Sequence, residues 1–148
     1  MLRVTQWLMG LILLRFALAL WFGGGLATLF ATRSVFAVAE TREQGGRFSG
    51  AVLSSFSWLR WAAVALTAAA WLFVRGAPIW WASAATLLTL VHALLDARIR
   101  AFRDRLGGSI EGLDALDPRR KRWGALHGAS VLLLLAQIAC AGAGLAAQ

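Results

Sequence analysis

"PRRKRWGALHGASVLLLLAQIACAGAGLAA" occupies residues 118–147, and this stretch decides the class of fold. Basic residues lead directly into an apolar run that is long enough to cross a bilayer, since a spanning helix needs about 20 mostly apolar residues. Asp117 and Pro118 are placed to start this helix as its cap and its first residue. Three other segments have the same character, so the sequence predicts an all-α bundle of four transmembrane helices within one membrane domain, with spans at residues 7–31, 53–74, 78–97 and 125–147.

The composition supports a membrane protein. Of the 148 residues, 59% are hydrophobic and 15% are charged, whereas about 25% of the residues are charged in a typical soluble domain. A chain of this size cannot bury so many apolar side chains in one core, so lipid must solvate them. The formal charge of +8 is explained by basic connections that flank the spans, and we therefore expect no nucleic-acid partner.

The basic residues are distributed unevenly between the two sides of the four segments. One side has Arg3 and Arg75, and the two longer connections have Arg33, Arg42, Arg47, Arg98, Arg100, Arg103, Arg105, Arg119, Arg120, Lys121 and Arg122. Because basic connections stay in the cytoplasm, we expect both termini to lie outside the cell. Arginine outnumbers lysine fourteen to one, which is typical of a GC-rich bacterial gene and indicates a bacterial inner membrane, with the termini periplasmic.

Two arginines interrupt the predicted spans. Arg15 lies inside the first and Arg60 inside the second. An arginine within the bilayer is costly unless its head reaches the interface or finds a partner. Each of these intramembrane cations therefore either snorkels to the interface or faces the bundle, where it would attract an anionic substrate or a lipid headgroup.

Small and polar residues recur at helical spacing in the last two segments. The third has Ala82, Ala85, Thr89, His92 and Asp96 on one face, and the fourth has His127, Ser130, Leu134, Gln137 and Ala141. Such faces are typical of helix–helix contacts in lipid. Since both histidines lie near the cytoplasmic ends of antiparallel helices, we expect the two rings to approach each other.

Three hypotheses account for the histidines. In the first they are structural, and Asp96 serves His92 as a hydrogen-bond partner one turn away. In the second, His92 and His127 hold one b-type haem, because neutral imidazole is a good iron ligand. In the third, His92, Asp96 and His127 form a metal site or a proton relay, although two histidines and one aspartate are an incomplete zinc set.

The sequence contains none of the common enzyme motifs, so we predict a non-enzymatic protein. Ala136, Cys140 and Gly144 form a ridge of small residues, and Gly23–Gly25 indicate close packing or a kink. With so few polar residues, the first functional hypothesis is an accessory or assembly subunit of a larger membrane complex. The alternative is a small transporter or permeability factor that acts as a homo-oligomer, with Arg15, Thr67, Thr89 and Gln137 as polar groups of its pathway.

Residues 94–108 continue the third segment with an amphipathic pattern. Ile99, Phe102 and Leu106 share one apolar face, which predicts a basic helical extension at the membrane surface that ends near Gly107–Gly108. We expect anionic lipid or partner contacts through the flanking basic residues: Arg98, Arg100, Arg103, Arg105, Arg119, Arg120, Lys121 and Arg122.

Three stretches also carry a resemblance. "LALWFGGGLATLFATRSVF" (residues 18–36), "REQGGRFSGAVLSSFSWL" (residues 42–59) and "WGALHGASVLLLLAQI" (residues 123–138) resemble segments of the domain of unknown function 4149, the transmembrane protein 205-like family. The resemblance implies a four-helix membrane fold whose signature falls on Trp21, Gly24, His127, Gly128 and Ser130. The chain departs from the family pattern at "ATRSVF", where a proline is expected. The family has no settled activity, so the resemblance leaves the function open.

Overall fold

The chain forms four long α-helices. The computed structural model describes residues 2–74, 78–106, 113–114 and 116–147, and within them the helices are α1 (Leu2–Val38), α2 (Arg42–Ala70), α3 (Pro78–Arg105) and α4 (Pro118–Ala146). Each helix is long and apolar enough to cross a membrane. The predicted all-helical class with four potential spanning helices is therefore confirmed.

The helices extend beyond the predicted spans. α1 has 37 residues, which correspond to a length of about 55 Å, whereas a bilayer core is about 30 Å thick. The spans were predicted from the apolar stretches alone, so they do not include the less apolar ends of the helices. The first long connection reduces to residues 39–41.

The start of α2 is fixed by side chains that cap it. The Thr41 side chain accepts a hydrogen bond from the Gln44 backbone N–H at 3.1 Å, and the Gln44 side chain accepts one from the Glu40 N–H at 3.0 Å. The spacing Thr-x-x-Gln is a capping-box signature. It was visible in the sequence, and it places the helix start well before residue 53.

The other helix ends are defined by similar local contacts. α2 ends at Ala70 rather than at Val74, because the backbone then tightens into turns in which Leu72 and Phe73 donate to carbonyls three residues earlier. Asp117 caps α4 by accepting from the Arg119 N–H at 2.7 Å, which confirms the predicted start of that helix. The connection between the second and third predicted spans, residues 75–77, and the predicted break at Gly107–Gly108 lie outside the described residues.

The four helices do not pack equally closely. α1 packs along α2 and α4, and α3 packs along α4, whereas α2 and α3 share few contacts. The bundle is therefore more open along the line between α2 and α3, which we call the α2–α3 seam. This seam positions the candidate site described below.

The best-packed part of the interior is apolar. Leu14, Leu18, Val74, Ile79 and Ala82 are buried to 1% exposure or less. They lie toward the end of the bundle where α1 and α3 begin, and we call this region the apolar half. Gly144 allows α4 to approach here, because a Cβ at that position would lie 2.8 Å from the Cβ of Trp81.

A second close contact involves the glycines of α1. A Cβ built on Gly25 would overlap the side chain of Ile138 on α4, whereas one on Gly23 would meet no atom within 4 Å. The sequence predicted close packing or a kink at these glycines, and the structure shows close packing at Gly25.

Candidate functional site

A group of polar side chains lies buried toward the other end of the bundle. All four helices contribute to this polar cluster: Trp21 from α1, Arg60 from α2, Thr89, His92 and Asp96 from α3, and Ser130 and Gln137 from α4. The α3 members are three and four residues apart, so they share one face of the helix. Thr89, His92 and Gln137 are between 1% and 3% exposed.

His92 is the centre of the polar cluster. Its Nδ1 lies 2.8 Å from a guanidinium nitrogen of Arg60 and 3.0 Å from the side-chain nitrogen of Gln137. Its Nε2 lies 2.7 Å from the Ser130 hydroxyl oxygen. A guanidinium can only donate, so Nδ1 must be the unprotonated acceptor. The ring is therefore neutral, with its proton on Nε2 donated to Ser130.

The same argument orients Gln137. Since Nδ1 of His92 accepts, the Gln137 amide nitrogen must face it, which turns Oε1 toward the Thr89 hydroxyl at 3.2 Å. The single proton of that hydroxyl is shared between Oε1 and the closer Ala85 carbonyl oxygen at 2.8 Å. Thr89 in turn accepts from the Trp21 indole N–H at 3.0 Å. One chain of hydrogen bonds thus runs from α2 through α3 and α4 to α1.

Arg60 and Asp96 form an ion pair at the edge of the polar cluster. A guanidinium nitrogen of Arg60 lies 3.7 Å from Asp96 Oδ2, and their side chains are 18% and 28% exposed. Asp96 Oδ1 lies 3.5 Å from His92 Nε2, which is longer than the contact of that nitrogen with Ser130. Arg60 thus faces the bundle, and Asp96 contacts α2 rather than only residues of its own helix.

Two spaces adjoin the polar cluster. A small cavity of about 20 Å³ lies between Trp21, Gly24, Arg60 and His92, and this volume is enough for about one water molecule. A larger cleft of about 220 Å³ opens along the α2–α3 seam, and its lining includes Arg60, Asp96 and Arg100 with Ser57 and Trp61. We call it the seam cleft.

The structure does not bring all predicted site residues together. His127 is exposed, although Ser130 one turn later belongs to the polar cluster. Both ring nitrogens of His92 have hydrogen-bond partners, so ligation of a haem by His92 and His127 would require one of these contacts to break. Arg15 is exposed on α1. In the part of the chain that the structure describes, no three His, Cys, Asp or Glu side chains form a group that could hold a metal.

The basic residues of α3 and α4 lie at the end of the bundle where α3 ends and α4 begins. α3 continues as one helix through Arg105, with Arg98, Arg100, Arg103 and Arg105 exposed. The apolar face of this extension is half-buried, and the guanidinium of Arg122 on α4 lies 5.4 Å from the centre of the Phe102 ring. Arg119 pairs with Asp117 at 2.7 Å, while Arg120 and Lys121 are exposed.

The sequence analysis did not predict the contacts that Arg60 and Trp21 make in the polar cluster. From the sequence we predicted no specific partner for Arg60 and no hydrogen bond for Trp21. A signal for Trp21 existed, because it follows Leu14 and Leu18 at helical spacing and so shares their buried face. For Arg60 the partner lies on another helix, and a single sequence does not say how two helices are aligned.

The fold and the cluster define a small all-helical protein with four potential spanning helices and a polar, hydrogen-bonded interior. Comparison of the chain with protein-family models, curated proteins and solved structures found no match. The resemblance to the transmembrane protein 205-like family therefore stays a prediction. Two of the residues that carry it, Trp21 and Ser130, belong to the polar cluster.

Proposed function

We propose that this chain is a non-enzymatic integral membrane protein that serves as an accessory or assembly subunit of a larger membrane complex, and that α2 is the helix that contacts the partner. The main observation is that α2 is the least buried of the four helices without being more apolar than the others. In its most apolar stretch, 11% of the residues are buried within the chain, compared with 28% in α3 and α4 and 33% in α1. This stretch is no more apolar than that of α3, and it is less apolar than those of α1 and α4. A helix surrounded by lipid should instead be the most apolar.

One stripe along the exposed face of α2 consists of small residues, beside exposed aromatic side chains such as Trp58. Gly46, Gly50 and Ser54 recur every four residues and are exposed, and a Cβ on either glycine would meet no atom within 4 Å. Packing within the chain thus gives no reason for glycine at these positions. In lipid, small residues at this spacing let a second helix approach closely. A transmembrane helix of a partner subunit would use these glycines.

A pair of glycine substitutions tests this proposal. Gly50→Leu adds bulk to the α2 face, and Gly23→Leu adds the same bulk to an exposed position of α1 that also has open space around it. After mild detergent extraction of native membranes, the wild type and Gly23→Leu should each elute with a stoichiometric partner. Gly50→Leu should elute without it, while keeping its helicity.

Other elution results would count against the proposal. A chain that elutes alone in all three forms would contradict an accessory role. A complex that contains only copies of this chain, and that Gly50→Leu disrupts, would instead favour the homo-oligomeric transporter. That alternative has less support from the geometry, because Thr67 donates to the Ala63 carbonyl of its own helix. In addition, Arg15 is exposed whereas Thr89 and Gln137 are buried. Flux in proteoliposomes that drops with Arg15→Ala would restore it.

The orientation and the location belong to the same proposal. Basic connections favour a bacterial inner membrane with both termini periplasmic, and the extension of α3 through Arg105 would then meet anionic headgroups. Reporter fusions at both termini test the orientation, and a cytoplasmic C-terminus would contradict it. Haem binding by His92 and His127 remains a further alternative, and a Soret band in the purified protein would support it.

A further inference from the structure

The seam cleft is lined by three charged side chains. Arg60 enters it from α2, and Asp96 and Arg100 enter it from α3. Since the His92 ring is neutral, these three side chains leave the cleft with one net positive charge. Arg100 lies about two turns beyond His92, or roughly 12 Å along the helix axis. The charged lining therefore runs from the buried polar cluster toward the basic end of α3.

Some N–H donors of the Arg60 guanidinium are not used by the polar cluster. Among the described residues, the hydrogen bond that its guanidinium makes is the one to His92 Nδ1 at 2.8 Å. The contact with Asp96 at 3.7 Å is an ion pair that is too long for a hydrogen bond. A guanidinium has five N–H donors, so those that face the cleft can bind a ligand without breaking the polar cluster.

We propose that the seam cleft binds a phosphate group, held between the guanidinium groups of Arg60 and Arg100. Two guanidinium groups on different helices suit an oxyanion that presents several acceptor oxygens, because each can form charge-assisted or bidentate hydrogen bonds. The volume of about 220 Å³ leaves space for more than the phosphate alone. The cleft opens on the side of the bundle, so the phosphate of an anionic phospholipid and a free phosphate are the two sources. This inference does not depend on the partner proposed for α2.

Lipid titration followed by native mass spectrometry tests the site on the full chain. Phosphatidylglycerol is compared with diacylglycerol of the same acyl chains, which lacks the phosphate, and inorganic phosphate is added as a separate ligand and competitor. We expect phosphatidylglycerol to bind more tightly than diacylglycerol. Arg100→Gln should weaken that binding about tenfold, as expected for the loss of a charge-assisted hydrogen bond. Competition by inorganic phosphate would identify free phosphate as a source.

Matched variants distinguish binding in the cleft from attraction of the lipid to surface charge in general. Arg33→Gln removes the same charge from an exposed position of α1 that neither lines the cleft nor belongs to the predicted headgroup contacts, and it should bind phosphatidylglycerol as the wild type does. Asp96→Asn removes the negative charge of the cleft and should tighten binding, while Asp104→Asn should not. Arg100 is exposed, so its variant should fold. Equal binding of the two lipids, or equal losses in Arg100→Gln and Arg33→Gln, would overturn the proposal.

Discussion

The two halves of this bundle are held together by different forces. In the apolar half, Leu14, Leu18 and Ile79 are almost fully buried, and Gly144 allows a helix to approach closely. In the polar cluster, His92 and Gln137 are as deeply buried, yet hydrogen bonds connect the helices, and the α2–α3 seam beside them is open.

The difference follows from what lipid can and cannot supply. Between helices in a bilayer there is no hydrophobic driving force, so association depends on van der Waals contact and on interhelical hydrogen bonds. Where the helices lie close together, van der Waals contact between complementary surfaces is sufficient to hold them. Where α2 and α3 separate, the long side chain of Arg60 spans the gap to His92 and Asp96. We expect the two halves to respond differently to substitution.

The largest effect should come from a cavity in the apolar half. Leu18 is fully buried, so Leu18→Ala should lower the free energy of unfolding by about 2 kcal/mol, at the low end for buried leucines, because lipid also solvates leucine. Phe16→Ala is the control, since Phe16 is 62% exposed and should change stability by less than about 0.5 kcal/mol. Detergent-induced unfolding followed by circular dichroism measures both. Equal losses would mean that Leu18 is not in a packed core.

Added volume should break the helix contact at Gly25. Gly25→Ala would force Ile138 to move, and overpacking of this kind costs about 1–2 kcal/mol. Gly23→Ala makes the same change in open space, where the better helix propensity of alanine should leave stability unchanged or raise it by up to about 1 kcal/mol. The same unfolding assay compares the two variants. A neutral Gly25→Ala would contradict the close packing of α1 on α4.

The polar cluster should be less sensitive to the loss of one bond. Thr89→Val keeps the shape but removes the hydroxyl that contacts Trp21 and Gln137. Interhelical hydrogen bonds in membranes average about 0.6 kcal/mol and reach about 1.7 kcal/mol, so the loss should fall in that range. Thr86→Val is the control on the same helix, because it removes the same kind of bond to a carbonyl one turn earlier, Thr86 to Ala82, that Thr89 makes to Ala85. A larger loss for Thr86→Val would show that hydroxyls on α3 act within the helix.

The two halves also differ in how far the sequence predicts them. Four apolar stretches predict four helices, because length and hydropathy are local properties. The buried face of α3 was likewise predicted from the spacing of Ala82, Ala85, Thr89 and His92, which the structure shows to be buried. Even the start of α2 had a local signal in Thr41 and Gln44.

Contacts between helices were harder to predict. The contact of Arg60 with His92 depends on how α2 is aligned along α3, and residues 39–41 and 71–77 do not fix that alignment by composition. The approach of His127 to His92 was predicted from the same kind of axial estimate, and the structure instead leaves His127 exposed and pairs His92 with Ser130. His127 and Ser130 are three positions apart on α4, so they differ by only about 60° in direction around the helix axis, and a small error in the estimated rotation exchanges the two outcomes.

The smallest effect should appear outside both halves, at the start of α4. Asp117 accepts hydrogen bonds from the side chain and the backbone N–H of Arg119, and these contacts lower the pKa of its carboxyl group. Because the pKa is lower in the folded protein than in the unfolded one, ionised Asp117 stabilises the fold above about pH 4, and this contribution is lost as the pH falls through the folded-state pKa.

Asp117→Asn keeps a good cap but cannot ionise. The stability difference between wild type and variant, measured from pH 7 to pH 3 by detergent-induced unfolding, should therefore be small at neutral pH and vanish in acid. Since both partners are at the surface, added salt should also reduce it. A difference that stays constant across this pH range would mean that the carboxylate acts at this helix start only as a cap and not as a charge.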